Sequence, residues 1–212
     1  MNRKSFAIGL AFSWVIILGN GKAGAGENPS GGPQAALLAT GLEGAIGSTI
    51  GTDGALYVAE GAVGRISRVD PQTGEITLFA SGLPKSIIGI GGPIDVAFLG
   101  ETAYVLVTLV SPDVGGSDID GIYRVDGPDS FTVVADIGAF NLTNPPNTAF
   151  MVPTGLQYAL QPYRGGFLVT DGHLNRVLRV TRDGEVSVLI AFPDIVPTGL
   201  AVLGNTVYMA EA

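Results

Sequence analysis

The chain has 212 residues, of which 46% are hydrophobic, and carries a formal net charge of −8. An acidic surface repels phosphate backbones, so nucleic acid is not an expected partner. Cysteine is absent, which excludes disulfides, thiol catalysis and thiolate metal sites. The length suffices for about one domain with a sizeable core.

The first segment has the pattern of an export signal. Arg3 and Lys4 precede an apolar run from Phe6 to Leu18, and a small-residue segment that ends at Ala25 follows. This pattern predicts a secretory signal peptide over residues 1–25 and a secreted protein, periplasmic or extracellular, after cleavage. The apolar run is shorter than the roughly 20 residues of a membrane span, so we expect no span in the mature protein. Residues 26–34, rich in Gly, Pro and Ser, predict a flexible linker.

The rest of the chain, residues 35–212, repeats itself. The pentapeptide VPTGL occurs at residues 152–156 and again at 196–200. Three further landmarks recur: a triplet centred on a bulky residue, an arginine-containing segment and a β-rich segment that ends each unit. They are the triplets at Tyr57, Tyr104, Leu168 and Tyr208, the segments 65–70, 121–126 and 176–181, and the segments 75–80, 130–135 and 185–190. Each unit therefore contains four short strands, named A to D, and we expect VPTGL to be strand A.

Four-stranded units of roughly 40–50 residues are typical of a β-propeller. The sequence predicts an all-β fold of antiparallel blades, about three and a half of them, with blades at residues 45–83, 93–138 and 153–193 and only strands A and B of a fourth. Residues 35–42 look like a D strand placed before the first blade. The alternative is a duplicated hairpin in a β-sandwich. No stretch shows a convincing helical period.

The segment VTDGHLNRVLRVTRDGEVSVL, residues 169–189, resembles an NHL repeat. The string GTDGALYVAEGAVGRISRVDPQTGEITLFASGL, residues 51–83, resembles the secreted ScyD/ScyE group of such propellers. The resemblance implies a six-bladed, exported propeller that is linked in cyanobacteria to synthesis of the sheath pigment scytonemin. It implies no catalytic residue. Because strands C and D of the fourth unit are missing, we interpret the chain as a truncated member of this group.

The functional face is expected where the B-to-C and D-to-A connections emerge, since these vary in length and variable loops on a rigid scaffold usually carry binding. A protein or small-molecule partner is expected there. The candidate ligand-binding residues share polar side chains at or near these connections: Glu60, Asp171, His173, Asn175, Asn144 and Asn147.

Acidic residues near the channel are candidates for a metal site. Carboxylates that converge on a channel suit hard cations, so Ca²⁺ or another divalent cation is a candidate cofactor. The candidate ligands are Glu60, Asp95, Asp171 and Glu211. The alternative is that each acid accepts hydrogen bonds from the turn of its own blade.

Two other polar groups have weaker patterns. Asp113, Asp118 and Asp120 have the composition of a cation loop but lack its spacing, which favours a solvated loop. His173, the only histidine, follows Asp171 by two residues and is either a general base or a polar turn residue.

Two functions of different classes remain. The first is a non-catalytic exported propeller that binds a partner or small ligand, as an accessory to pigment or envelope assembly. The second is a metal-dependent hydrolase or lactonase that uses channel carboxylates.

Overall fold

The computed structural model of the protein describes residues 12–19, 34–147 and 151–212, and the regular secondary structure among them is almost entirely β-strand. The strands are β1 (Phe12–Gly19), β2 (Gln34–Glu43), β3 (Ala45–Ile50), β4 (Leu56–Glu60), β5 (Arg65–Val69), β6 (Ile76–Ser81), β7 (Gly92–Leu99), β8 (Thr102–Thr108), β9 (Gly121–Gly127), β10 (Ser130–Asp136), β11 (Gln157–Tyr163), β12 (Gly166–Asp171), β13 (Arg176–Val180), β14 (Val186–Ala191), β15 (Pro197–Leu203) and β16 (Thr206–Glu211).

The strands form three complete blades in chain order. Blade 1 is β3 to β6, blade 2 is β7 to β10 and blade 3 is β11 to β14, and neighbouring strands of each sheet run antiparallel. Two-stranded sheets, β1–β2 and β15–β16, flank them in sequence. The chain is therefore a partial β-propeller, as the repeat predicts. The sandwich alternative is wrong because each sheet is built from consecutive strands of one repeat.

The predicted signal peptide lies mostly outside the described residues, and so does most of the predicted linker. Residues 12–18 of the apolar run, together with Gly19, form β1, which pairs with β2. The D-like segment 35–42 is indeed a strand. The signal peptide stays a prediction.

The two VPTGL pentapeptides do not occupy the same place in their blades, which corrects the sequence analysis. At residues 152–156 the pentapeptide forms a turn before β11, whereas residues 197–200 of the second copy already belong to β15. Leu156 and Val196 are equivalent, because each accepts a hydrogen bond from the residue after strand B of its sheet. The second copy is thus shifted by four residues relative to the blade.

The expectation of no helix is also wrong. Helix α1 (Ile137–Thr143) lies in the connection from blade 2 to blade 3, and its first turn is capped by Asp136, which accepts from the Ala139 amide at 2.7 Å. A single 3₁₀ turn, Pro112–Val114, lies in the B-to-C connection of blade 2. Both elements are too short to show a 3.6-residue period in the sequence. Among the described residues, no helix has the length and apolar character of a membrane span.

The core lies between adjacent blades and is supplied mainly by strands A, B and C. One cluster joins blades 1 and 2 around Tyr57, Ile66 and Val105, and a second joins blades 2 and 3 around Leu106 and Phe167. Every residue of β4 and β12 is buried. This packing fixes the strand ends from which the functional loops emerge.

Candidate functional site

The B-to-C and D-to-A connections meet on one side of the blades, which we call the loop face: residues 84–91, 109–120, 137–147, 151–156 and 172–175. Hydrogen bonds join four of these segments to one another, namely 109–120, 137–147, 151–156 and 172–175. The Gly138 amide of α1 donates to the Asp120 carbonyl at 2.9 Å, and the Thr154 amide donates to the Asp113 carboxylate at 3.2 Å. The loops therefore form one continuous surface, as the sequence predicts.

Asp171, at the end of β12, is the buried anion of the loop face. Its side chain is fully buried. Oδ2 accepts from Nδ2 of Asn141 in α1 at 2.6 Å, and Oδ1 accepts from the amides of Leu156 and Leu174 at 3.3 and 3.4 Å. Burial raises the pKa of Asp171, and the nearby Arg176 and the hydrogen bonds offset only part of that rise.

Arg176, at the start of β13, completes this arrangement. Its two terminal nitrogens donate to Oδ1 of Asn141 at 2.7 Å and to the Asn144 carbonyl at 2.8 Å. Its Nε lies 3.8 Å from Asp171 Oδ2 and has no hydrogen-bond partner within the described chain. The Asn141 side chain therefore lies between the Asp171 carboxylate and the Arg176 guanidinium and is bonded to both. We call the three residues the Asp171–Asn141–Arg176 centre.

Blade 1 carries the corresponding pair without an intermediary. Glu60 ends β4 and Arg65 begins β5, and two hydrogen bonds of 2.9 and 3.0 Å join them. Burial opposes ionisation of Glu60, but hydrogen bonds from Arg65, the Glu43 amide and Ser67 hold its pKa below its usual value. The side chain of Asp is one methylene shorter than that of Glu, and in blade 3 the Asn141 amide spans the remaining gap.

A cavity of about 480 Å³ opens beside the Asp171–Asn141–Arg176 centre. Its polar wall consists of Asn144, Asn147, Asn175 and Arg176, and its apolar wall includes Leu174 and Phe192. We call it the asparagine cavity. Its size lies in the range of small-molecule sites, and it combines apolar lining with a few polar groups, as such sites do.

Three of the six predicted ligand-binding residues, Asn144, Asn147 and Asn175, share the asparagine cavity. Asp171 does not line the cavity, but its carboxylate lies 3.8 Å from Nε of Arg176, which does. His173 is part-buried on the loop face, where Nε2 accepts from the Val152 amide at 3.2 Å. Glu60 belongs to blade 1 and is held by Arg65. The structure thus brings together four of the six residues, the three asparagines of the cavity and Asp171, which reaches it by way of Arg176, and leaves Glu60 apart.

The four predicted metal ligands are not assembled into a metal site. No three His, Cys, Asp or Glu side chains among the described residues are placed so that they could hold a metal ion together. Glu60 and Asp171 are saturated by the contacts above, and Glu211 is exposed at the end of β16. The alternative, hydrogen bonds from the turn of the acid's own blade, describes only the Leu174 amide that donates to Asp171, because Asn141 donates from α1 and Glu60 accepts from Glu43 and from strand β5. Binding of Ca²⁺ or another cation stays a prediction.

Asp95, the remaining candidate, joins two inner strands. It lies in β7, and its carboxylate accepts from its neighbour Val96 at 2.9 Å and from the Leu160 amide of β11 at 2.8 Å. Burial raises the pKa of Asp95 to about 6, although both amide donors favour the ionised form. Asp95 is therefore a titratable link between blades 2 and 3.

Sequence reasoning assigned no role to Asn141, Arg65 or Arg176. A usable signal for the arginines exists, because an acid at the end of strand B is followed five residues later by Arg in both E-G-x-x-x-R (60–65) and D-G-x-x-x-R (171–176). Asn141 gives no such signal, since it reaches Asp171 across 30 residues.

Comparison with solved structures supports the propeller architecture. Virginiamycin B lyase from Staphylococcus aureus, solved as its catalytically inactive H270A variant with quinupristin, matches with a TM-score of 0.55 and 18% identity over 87% of this chain and 54% of that chain. A putative gluconolactonase matches at 0.56 and 14% identity, over 84% and 61%. The PQQ-bound aldose sugar dehydrogenase from Streptomyces coelicolor matches at 0.51 and 18%, over 81% and 57%.

These similarities show the fold alone. The chain spans between 54% and 61% of the length of these three structures. No family model matches the chain, and no curated protein matches it either. Membership of the ScyD/ScyE group and the NHL assignment therefore stay predictions, and the comparisons give no support to a role in scytonemin synthesis.

Proposed function

We propose that the protein binds a small polyhydroxylated molecule in the asparagine cavity on its loop face. The observation that carries the proposal is the convergence of three asparagines and one arginine on a cavity of about 480 Å³. Variable loops on a rigid propeller supply these groups, which is where binding sites usually occur.

The side chains suit hydroxyl groups. An asparagine amide offers both donors and an acceptor, so it matches hydroxyls that also donate and accept. Nδ2 of Asn144 donates to Phe140 and Thr143, and Nδ2 of Asn175 donates to the Pro193 carbonyl, so Oδ1 is the atom that each side chain would offer a ligand, as an acceptor. The ring of Phe192 provides an apolar surface for the carbon skeleton.

The cavity is held in shape before a ligand arrives. Arg176 is 3% exposed, and it fixes the Asn144 backbone through the carbonyl and α1 through Asn141. Asn175 adopts φ 54° and is anchored to Pro193. A site that is already formed loses less conformational entropy on binding, which favours affinity.

A thermal-shift screen tests the proposal. We would measure the melting temperature of the full chain with glucose, galactose, gluconate and inositol at millimolar concentration. A ligand that binds only the folded state must raise the melting temperature. We expect at least one of these probes to raise it by a few degrees.

Two variants localise the effect. Asn144→Ala and Asn175→Gly remove cavity acceptors, and Gly tolerates the positive φ at position 175. Both should abolish the ligand-induced shift, while Asn205→Ala, an exposed asparagine in the turn between β15 and β16, should retain it. Equal shifts in all three variants, or no shift with any probe, would contradict the proposal.

A second candidate function is hydrolysis of a cyclic ester by a channel carboxylate. Asp95 favours it, because a carboxyl group with a pKa of about 6 is suited to proton transfer near neutral pH. One similar structure is described as a putative gluconolactonase. Hydrolysis of glucono-1,5-lactone, followed by pH-stat with and without Ca²⁺, tests this function. Activity that Asp95→Asn removes would support it, and activity no higher than the buffer rate would exclude it for this lactone.

A further inference from the structure

A second polar cluster on the loop face contains too few hydroxyl protons for its contacts. Ser111 Oγ lies 2.6 Å from Asp113 Oδ1 and also 2.6 Å from Asp120 Oδ2. Thr154 Oγ1 lies 2.7 Å from Asp113 Oδ2. All three distances are those of short O–H···O hydrogen bonds.

Each of these three contacts requires a proton between its oxygens. The hydroxyls of Ser111 and Thr154 supply one proton each, and an ionised carboxylate supplies none. If both carboxylates were ionised, one pair of oxygens 2.6 Å apart would face each other without a hydrogen. One carboxyl group therefore holds a third proton.

The surroundings place that proton on Asp120. Both oxygens of Asp113 already accept, Oδ1 from Ser111 and Oδ2 from the amide and hydroxyl of Thr154. Oδ1 of Asp120 accepts from the Val110 amide at 2.8 Å, so only Oδ2 is free to donate, and it points at Ser111 Oγ. Asp120 is 1% exposed.

The electrostatics agree with this assignment. Burial raises the pKa of Asp120, and the negative charge of Asp113 adds to the rise. Burial acts in the same direction on Asp113, but hydrogen bonds from Ser111 and Thr154 bring its pKa below the usual value. The other titratable groups around this cluster are acidic or phenolic: Asp118, Asp136 and Tyr123.

The four residues of this cluster connect two blades. Ser111, Asp113 and Asp120 belong to the B-to-C connection of blade 2, whereas Thr154 precedes β11 of blade 3. The Thr154 carbonyl also accepts from Asn141 and from Gln157, so the cluster adjoins the Asp171–Asn141–Arg176 centre.

We propose that Asp120 carries a proton which it donates to Ser111, and that this proton makes the joint between blades 2 and 3 a pH-sensitive latch. When the proton leaves, Asp120 Oδ2 and Asp113 Oδ1 compete for the single hydroxyl hydrogen of Ser111. Because Ser111 Oγ also lies 3.2 Å from Thr154 Oγ1, this competition weakens the contact between the loop at residues 109–120 and residue 154. This device is independent of any ligand in the asparagine cavity.

The sign of the pH effect follows from linkage. Asp120 binds its proton more tightly in the folded than in the unfolded chain, so the free energy of unfolding falls as pH rises through the raised pKa. Asp113 acts in the opposite sense, because its lowered pKa destabilises the fold only in acid.

Three Asp→Asn variants of the full chain test the latch. In Asp120→Asn the amide nitrogen takes the place of the protonated oxygen and donates to Ser111, while Oδ1 still accepts from Val110. We expect the melting temperature of the wild type to fall by roughly 2–4 °C between pH 4 and pH 8 because Asp120 ionises. The Asp120→Asn variant should not show this fall. In Asp113→Asn an amide nitrogen replaces a carboxylate oxygen that accepts from Ser111 or Thr154. This variant should therefore have a lower melting temperature than the wild type at every pH. Asp118→Asn, an exposed neighbour, should match the wild type.

A direct titration complements the melting curves. The ¹³C chemical shift of the Asp120 carboxyl carbon should titrate at a higher pH than that of Asp113, and the Val110 amide should exchange faster at pH 8 than at pH 5 after correction for intrinsic rates. The proposal is overturned if both carboxyl carbons titrate together below the usual range. It is equally overturned if Asp120→Asn lowers the melting temperature as much as Asp113→Asn does.

Discussion

The two copies of VPTGL have the same five residues and different structures. In the first copy Gly155 has φ +84° and lies in a turn, whereas Gly199 of the second copy lies within β15, opposite Ala210. A Cβ on Gly155 would lie 2.5 Å from a carboxylate oxygen of Asp171 and 2.7 Å from the Asn141 amide. A Cβ on Gly199 would meet the Ala210 side chain at 3.4 Å, an ordinary contact.

The difference shows that the surroundings, rather than the pentapeptide, decide its conformation. The acid that ends strand B is buried in blade 3, as Asp171, and exposed in the last sheet, as Glu211. Asp171 accepts a hydrogen bond from the amide of Leu156, the last residue of the first copy, and this contact holds the turn against the carboxylate. The acid of the last sheet is exposed, and the second copy continues as a strand that pairs with β16.

Replacement of the two glycines should separate the copies most strongly. Gly155→Ala combines a positive φ with a clash against two buried polar groups, so we expect a loss of about 3 kcal/mol in the free energy of unfolding. Gly199→Ala should change the free energy of unfolding by less than about 1 kcal/mol, because Gly199 lies in a strand without a positive φ and the added Cβ makes only an ordinary contact. Urea denaturation of both variants measures the difference, and equal losses would break the comparison.

Removal of Asn141 should have the next largest effect. Asn141→Ala leaves the buried Asp171 without a 2.6 Å donor and Arg176 without a 2.7 Å acceptor. We expect a loss of about 2–3 kcal/mol, because buried charged groups without partners are destabilising. Leu142→Ala, an exposed neighbour in α1, serves as the control and should change stability by less than about 0.5 kcal/mol. Similar denaturation midpoints for both variants would show that the centre adds no stability.

A pH titration should give the smallest effect. Asp95 accepts from the Leu160 amide in β11, the strand that follows the first pentapeptide. Its pKa is about 6 in the folded chain against an ordinary 3.8, so the free energy of unfolding should fall as pH rises from about 4 to 6 and then level off. Asp95→Asn, which cannot ionise, should have a melting temperature that depends less on pH over this range. A profile as steep as that of the wild type would contradict this role.

Much of the fold follows from the sequence, because blade strands alternate and their turns carry Gly, Asp and Pro. The four-residue shift between the two pentapeptides can also be read from the sequence. The copies are 44 residues apart, but Leu168 and Tyr208 of the flanking triplets are 40 apart, and the difference equals the four-residue shift.

The candidate site was only partly predictable. Polar loop residues such as Asn144 and Asn175 could be assigned to one face because blade topology alone decides which connections emerge there. The burial of Asp171 and Asp120 could not, since it depends on Asn141, which reaches Asp171 from α1, and on the way the loop at residues 109–120 folds Ser111 onto Asp120. A composition rich in Asp suggested a solvated loop at residues 113–120, but Asp120 is buried.

Amide hydrogen exchange in Asn141→Ala tests the central claim most directly, namely that the Asp171–Asn141–Arg176 centre holds the first pentapeptide in its turn. Exchange at residues 152–156 should accelerate at least about tenfold relative to the wild type, the change that about 1.4 kcal/mol of local stability produces. Residues 196–200 should keep their wild-type rates. Unchanged exchange at 152–156, or the same acceleration in both copies, would contradict the account.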